Sequence, residues 1–289
     1  MIKDTKSKEL INRYIDELQK ELEQGKSERL TKYLEFVSNF RNYSFYNTLL
    51  IHFQEPEASR IAGFKTWDNL GYKIKKGSKA IRILAPRFYK YYQEDDKKVF
   101  INKGDKIDDT EVIEGIYFIG VNVFDISQTD KTDKAKELVD NFFYNIGNNF
   151  ENKYLNLKSI IESEGITVIE TNKTNGAEGY ARQDNVIAIK SNNDFNNKLL
   201  TLIHEWGHIK LHINNNKFEF TKEDKEVQAE AISYLVGKFL GLSNPFSSDY
   251  ILTWGRDSQA LRHNLKYVVE TAGKMIEKIK EYKTNRNVA

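Results

Sequence analysis

The chain has 289 residues, 39% of them hydrophobic and 30% charged, with a net charge of only +2. That length allows two modest domains, and affinity for nucleic acid would have to come from local clusters rather than from the whole chain. Having no cysteine, it can form neither a disulfide framework nor a thiolate metal site. No run reaches the roughly 20 apolar residues of a membrane helix, and the polar start Met1-Ile2-Lys3-Asp4-Thr5-Lys6 lacks a signal-peptide core, so a cytoplasmic protein with no membrane partner is expected.

Residues 8–24 place Leu10, Ile11, Tyr14, Ile15, Leu18 and Leu22 on one side of a helix that Gly25 ends. A second helix runs through Leu30, Tyr33, Leu34, Phe36 and Val37, and Ser44 is positioned to cap a third beginning at Phe45. The composition then shifts. From Arg60 to Lys90 the bases are Arg60, Lys65, Lys73, Lys75, Lys76, Lys79, Arg82, Arg87 and Lys90 against the single acid Asp68, interleaved with Phe64, Trp67, Tyr72, Phe88 and Tyr89. Cations that neutralise phosphates and rings that stack on bases are the two requirements for holding a nucleic-acid single strand. On that reading Lys73, Lys75, Lys76, Lys79 and Arg82 hold phosphates, with Lys65 alongside, while Trp67, Tyr72 and Phe64 offer stacking surfaces. A solvated basic face over ordinary core aromatics is the competing reading.

Lys75-Lys76-Gly77 reads as a tight basic turn into a strand at Ala80–Leu84, and Phe88–Tyr92 with Lys98–Ile101 alternates like a hairpin tipped by Glu94-Asp95-Asp96. Gly115–Asp125 reads as a buried strand. The N-terminal half is therefore α+β, and the polar run 129–136 is the natural linker between a domain at 1–128 and a second at 137–289. The second half opens with helices expected near Lys134–Ile146 and Leu155–Glu164, a strand at Ile166–Glu170, a turn at Gly176–Gly179, and a hairpin of Tyr180–Arg182 with Val186–Lys190. Asp194 can cap the helix that follows. A last long helix is expected over Arg256–Tyr282.

The helix after Asp194 carries His204-Glu205-Trp206-Gly207-His208, an H-E-x-x-H motif among Leu200, Leu202, Ile203 and Ile209. Histidines four apart project from one helical face and match two corners of a tetrahedral zinc site, with Glu205 placed to take a proton from a water that the metal activates. Gly207 would allow close approach of a neighbouring element. The third histidine of a metzincin would fall at Asn214, so that extension is excluded. An acid from a second helix is the alternative, and Glu226 and Glu230 share a face of Glu223–Val236. Glu226 is assigned as the metal ligand, with Glu230 supporting a ligand histidine. His212, one turn beyond His208, is read as a pocket wall or a group behind the ligands. His212, Tyr180 and His263 are candidates for stabilising a tetrahedral intermediate.

With both halves in view, the chain resembles the ArdC-type antirestriction proteins of conjugative plasmids, integrative elements and phages. Ser44-Phe45-Tyr46-Asn47, Ala62-Gly63-Phe64-Lys65-Thr66-Trp67, Lys75-Lys76-Gly77 and Val123-Phe124-Asp125-Ile126-Ser127-Gln128-Thr129 look like that family's single-stranded-DNA-binding domain. The H-E-x-x-H helix with Glu226-Val227-Gln228-Ala229-Glu230-Ala231 looks like its metallopeptidase domain, itself similar to ImmA/IrrE-type zincins, and Tyr250–Trp254 fits a short aromatic motif after it. The resemblance implies a single-strand-binding protein that protects incoming DNA from restriction, favours Glu226 as third ligand, and implies zinc, with manganese the alternative, and a protein or peptide substrate. Two other readings stand beside it: a single-strand-binding protein whose metal domain is silent, and a regulatory protease that cleaves a repressor.

Overall fold

The structure, a computed structural model, describes residues 1–40, 43–102, 111–138, 145–213, 220–243, 254 and 257–286, with side chains as far as 282. It is α+β and divides into two compact units, Met1–Tyr14 with Leu49–Glu137, and Ile15–Thr48 with Leu138–Ala289. Residues 15–48 group with the C-terminal half. The first helix, α1 (Thr5–Glu23), spans the division between Tyr14 and Ile15.

The first unit contains β1 (Ile61–Ala62), α4 (Phe64–Asn69), β2 (Tyr72–Ile74), β3 (Ile81–Glu94), β4 (Lys97–Ile101), β5 (Ile113–Asp125) and β6 (Thr129–Lys131). One antiparallel sheet has the order β1-β5-β3-β4, and β2 pairs with β6 in a second. The strand and the hairpin arm expected separately are one long β3, which passes through Pro86. Proline is accommodated because β4 flanks β3 only from Lys90 onward, so that edge is open at Pro86. Asp95 and Asp96 turn the hairpin with φ of 47° and 60°, a conformation that aspartate adopts more readily than most residues. β5 is less buried than expected: Val123 is 6% exposed, but Ile116 is 43% exposed.

Asp125 is the polar centre of this unit. At 1% exposure its carboxylate accepts the backbone N–H groups of Ser59, Arg60 and Ser127 at 2.8, 2.9 and 2.9 Å. Gln128 Oε1 accepts from Asp125 N at 2.8 Å, and Gln128 Nε2 donates to the Lys79 carbonyl at 2.8 Å. The chain beyond is no free linker. β6 pairs with β2, Thr132 N donates to the Gly71 carbonyl and Lys136 N to that of Leu70. Polar composition marked residues 129–136 as a connection, but their backbone groups are used in pairing.

The second unit contains α2 (Glu28–Asn39), α5 (Phe150–Glu162), β7 (Thr167–Thr171), β8 (Gly179–Arg182), β9 (Val186–Lys190), α6 (Phe195–His208), α7 (Lys222–Phe239) and α8 (Ser258–Arg286). Its sheet has the order β7-β9-β8, with β7 and β9 parallel and β8 antiparallel at an edge. Asp194 caps α6 by accepting from Asn197 N at 3.0 Å, as expected, and Thr221 caps α7. Leu199, Leu202, Ile203 and Trp206 are fully buried along α6, each worth about 1.5–3 kcal/mol of transfer free energy. α6 packs on α5 and α7, and α7 on α2 and α8. Of the helix expected at 134–146, residues 139–144 lie outside the described ones, and the flanks 134–138 and 145–146 are not helical. Residues 250–253 of the aromatic motif also lie outside them; Trp254 is buried.

Asp125 supplies a stability prediction. Burial opposes its charge, but donation from Ser127, Arg60 and Ser59 outweighs this and holds the carboxyl below the usual carboxylate range. A depressed folded pKa stabilises fully above the unfolded value near ~4 and is lost as pH falls through the folded one. Asp125→Ala should destabilise the protein by roughly 2–4 kcal/mol in urea unfolding at pH 7, with the difference from wild type shrinking below about pH 4.

Candidate metal centre and basic surface

Helix α6 and helix α7 bring three donors together. His204 Nε2 and His208 Nε2 stand 3.1 Å apart, and Glu226 Oε2 lies 3.5 Å from the first and 3.6 Å from the second. One ligand atom from each of the three lies within 4.8 Å of the others. The set of two imidazoles and a carboxylate is the chemistry of a catalytic zinc-type site that leaves a position open. Glu230, one turn along α7, places Oε2 3.4 Å from His204 Nδ1. A carboxylate there accepts Nδ1–H and fixes the ring so that Nε2 faces Glu226. Burial disfavours a charge on His204, yet Glu226 and Glu230 raise it to about 9; the hydrogen bonds from His204 and His208 hold Glu226 far below the usual carboxylate range despite its partial burial.

Glu205 lines the same cleft as these donors and reaches the backbone of β8. It is 7% exposed, burial pushes its carboxyl up, and the charges of His204 and His208 pull it partly back. The backbone of Ala181 donates to it. β8 approaches this closely because residue 179 is glycine: a Cβ there would meet Thr201 Cγ2 at 2.6 Å, the Ala188 carbonyl at 2.8 Å and Glu205 Cγ at 3.4 Å. Sequence reading took Gly179 as the end of a turn, although glycine at a strand is also a signal of close approach. At Gly207 a Cβ would stand 3.3 Å from Ile232 Cγ2, so this glycine admits a side chain of α7 rather than its backbone.

Beyond His208 the helix widens into a π turn, Ile209–Ile213, a form concentrated at functional sites. His212 sits on it. Its Nε2 donates to the Lys225 carbonyl at 3.2 Å, which makes Nδ1 the unprotonated nitrogen, and that atom has no partner among the described residues. Burial, reinforced by His208, pushes its pKa down to about 3. Glu164 braces the far side of α6, accepting Trp206 Nε1 at 3.1 Å and Lys210 Nζ at 2.7 Å. A cleft of about 720 Å³ opens over Glu205 and His208, walled by Tyr180, Gln183, His212, Lys225 and Glu226. Tyr180 and His212 thus line it, whereas His263 stands exposed on α8, 6.4 Å from Tyr267, and is not one of its walls.

In the first unit the basic stretch separates into two groups. Phe64 is 63% exposed, and Lys65, Lys73, Lys75, Lys76 and Lys79 are exposed, with Gly77 (φ +87°) making the turn. Lys75 is oriented by its own Nζ donating to the Ser127 carbonyl at 2.8 Å. Three expected DNA contacts are corrected. Trp67 is fully buried and its Nε1 donates to the Phe124 carbonyl at 2.9 Å. Tyr72 is 3% exposed, with its hydroxyl on the Lys136 carbonyl. Arg82 is engaged by Asp4 through both guanidinium branches, so its charge is already matched. Two rings are core, and one cation is paired.

These features define a class: a zincin-like helix pair on a small sheet, joined in one chain to an antiparallel α+β domain. Residues 7–124 match the N-terminal domain of anti-restriction factor ArdC, and residues 161–240 match the IrrE N-terminal-like domain of the M78 peptidases. Among solved structures, the metal-free antirestriction ArdC protein from plasmid R388 superposes with a TM-score of 0.59 at 16% identity, covering 96% of this chain and 98% of that one. Its Mn(II)-bound structure gives 0.55 at 16%, covering 94% and 97%. An uncharacterized protein of Bacillus anthracis is 26% identical over 305 residues; the match covers 94% of this chain, which spans about half (51%) of that relative's length. The chain thus resembles ArdC in both domains: it carries a match to the ArdC N-terminal domain followed by a match to the IrrE-like domain, and it shares the fold of the R388 protein. No helix among the described residues is long and apolar enough to cross a membrane.

If the donor geometry is a metal site, removing Glu226 should abolish divalent-ion binding measured by competition with a chelating dye. Glu230→Ala should weaken it about 10- to 100-fold, the usual effect of losing a carboxylate behind a ligand histidine.

Proposed function

We propose that the protein protects the DNA of a mobile element from host restriction by binding it as a single strand, and that its second unit is a metal-dependent peptidase. The observation that carries the peptidase reading is the convergence of His204, His208 and Glu226 beside a buried Glu205, in a cleft bordered by the open edge of β8. The three donors suit zinc, and manganese is the alternative because the Mn(II)-bound ArdC structure shares the fold.

A divalent ion held by these residues would supply Lewis acidity to a substrate carbonyl and make a nearby water more acidic. The chain's own groups do the rest. Among the described residues β8 is an edge strand of its sheet, to which an extended peptide can add as a further strand. Glu205, its carboxyl pushed up toward neutrality by burial, takes the proton of the attacking water on a carboxylate oxygen and returns it to the leaving amine. His212 and Tyr180 are the candidates for contacting the oxygen of the tetrahedral intermediate; with Nδ1 unprotonated, His212 would do so only after gaining a proton, which favours Tyr180. In the first unit, Lys65, Lys73, Lys75, Lys76 and Lys79 hold phosphates and Phe64 offers a stacking surface. The match to the IrrE N-terminal-like domain supports a second reading, a protease that cleaves a repressor of its own element.

Glu205→Gln separates the metal from the chemistry: bound ion should be retained, and hydrolysis of a peptide mixture read by mass spectrometry should fall at least about 100-fold. A wild-type protein that binds metal yet cuts no peptide, repressors included, would mark the metal domain as silent. For the DNA reading, wild-type anisotropy titrations over a salt series should show single-strand preference. Lys75→Gln with Lys76→Gln should lower affinity and flatten the log–log salt slope by roughly 1.4, at ~0.7 per phosphate contact. An unchanged slope would remove these two lysines from the contact.

A further inference from the structure

With Trp67 and Tyr72 in the core, the lysine turn keeps only Phe64 as an exposed ring. The outer half of the long sheet carries other rings. Strand alternation sends Arg87, Tyr89 and Tyr91 of β3 to one face, and the register sets Phe100 of β4 opposite Tyr91 and Tyr117 of β5 opposite Arg87. These rings form one cluster, with Tyr89 5.8 Å from Tyr91, 5.5 Å from Phe100 and 5.8 Å from Tyr117 between centroids. Phe100 is 58% exposed.

Gly115, the residue paired with Tyr89, explains how the central ring lies. A Cβ on Gly115 would fall 2.2 Å from Tyr89 Cζ and 2.6 Å from Cε1. The phenol end of Tyr89 therefore occupies the space over the Gly115 backbone, where any other residue would displace it. Aromatic rings clustered on an exposed sheet face offer surfaces on which bases can stack.

Charge separates between the two faces. Lys98 Nζ lies over the Tyr91 ring at 4.5 Å, Lys3 Nζ over Tyr117 at 4.1 Å, and Arg87 is exposed. The side chains that share this face along Arg87–Gln93, Lys98–Phe100 and Ile113–Tyr117 include no carboxylate. The opposite face carries Glu114, paired with Lys90 at 2.9 Å, and the isolated ring of Phe88, 75% exposed. Aromatic faces flanked by cations without acids suit a polyanion of stacked bases, whereas a protein partner would be better served by the more apolar Phe88–Ile116 side.

We propose that the Tyr89–Phe100 face of β3, β4 and β5 is a base-stacking platform for single-stranded DNA, with Lys3, Arg87 and Lys98 as its phosphate contacts. It rests on the single-strand-binding reading and adds a second surface to the lysine turn. The platform reads bases by their π-faces, so it binds without strong sequence preference.

The test is anisotropy of the full chain with a labelled oligothymidylate and with an abasic strand of equal length. The variants are Tyr89→Leu, which keeps apolar cover over Gly115, and Phe100→Ala at the exposed edge; Phe88→Ala on the opposite face is the control. Each platform variant should weaken oligothymidylate binding about 5- to 50-fold, as loss of one stacked base does, and should change abasic-strand binding less than about twofold. Phe88→Ala should bind both strands like wild type. If wild type binds neither strand, the single-strand reading falls and the platform with it. If wild type binds and both platform variants match it, or if they lose equally on both strands, the platform alone is overturned.

Discussion

The second unit depends on two neighbouring helices coming close enough for one carboxylate oxygen to stand 3.5 and 3.6 Å from two imidazole nitrogens. Two histidines four apart on one helix fix only a line; the acid has to arrive from elsewhere at the right height. Gly207 admits Ile232, which sets the spacing of α6 and α7. Glu230 then orients His204 through its other nitrogen. The buried side of α6 is equally constrained, since Glu164 holds both Trp206 and Lys210, so the helix cannot rotate about its axis without breaking a buried polar contact. Such restraint is what a site needs if its donors are to be preorganised rather than gathered by the ligand.

The first unit solves a different problem. Its lysine turn must project several like charges that repel one another, and other groups have to fix the backbone beneath them. Asp125 and Gln128 do so from below: the carboxylate gathers three N–H groups, and the amide ties the strand end to the carbonyl of Lys79. Lys75 N then donates to the Gln128 carbonyl. The Val123–Thr129 segment thus acts on the lysines through the backbone.

Much of the donor arrangement was legible in the chain, because its signals are local. The H-E-x-x-H spacing puts two rings on one face, Asp194 opens the first helix, and Glu226 and Glu230 share a face by the same arithmetic. What stayed hidden depends on distant partners. Composition shows that Trp67 and Tyr72 are aromatic among lysines but not that carbonyls 57 and 64 residues away receive them. Arg82 looked free because Asp4 lies 78 residues off. The run 129–136 is polar enough for a linker, and its pairing with β2 has no signature in so short a strand. Gly115 and Tyr89 looked unrelated until the register placed one over the other.

The division of the chain into Met1–Tyr14 with Leu49–Glu137, and Ile15–Thr48 with Leu138–Ala289, bears on how the protein is made. During synthesis the first unit has all its residues once Glu137 has left the ribosome. Residues 15–48 emerge earlier but belong with helices not yet translated, so Leu30, Leu34 and Val37, buried in the finished protein, stay uncovered for more than a hundred further residues of elongation. At about 5–20 residues per second this interval lasts several seconds or longer, far beyond the time in which short apolar segments collapse. A nascent chain in that condition is a natural client for holding chaperones.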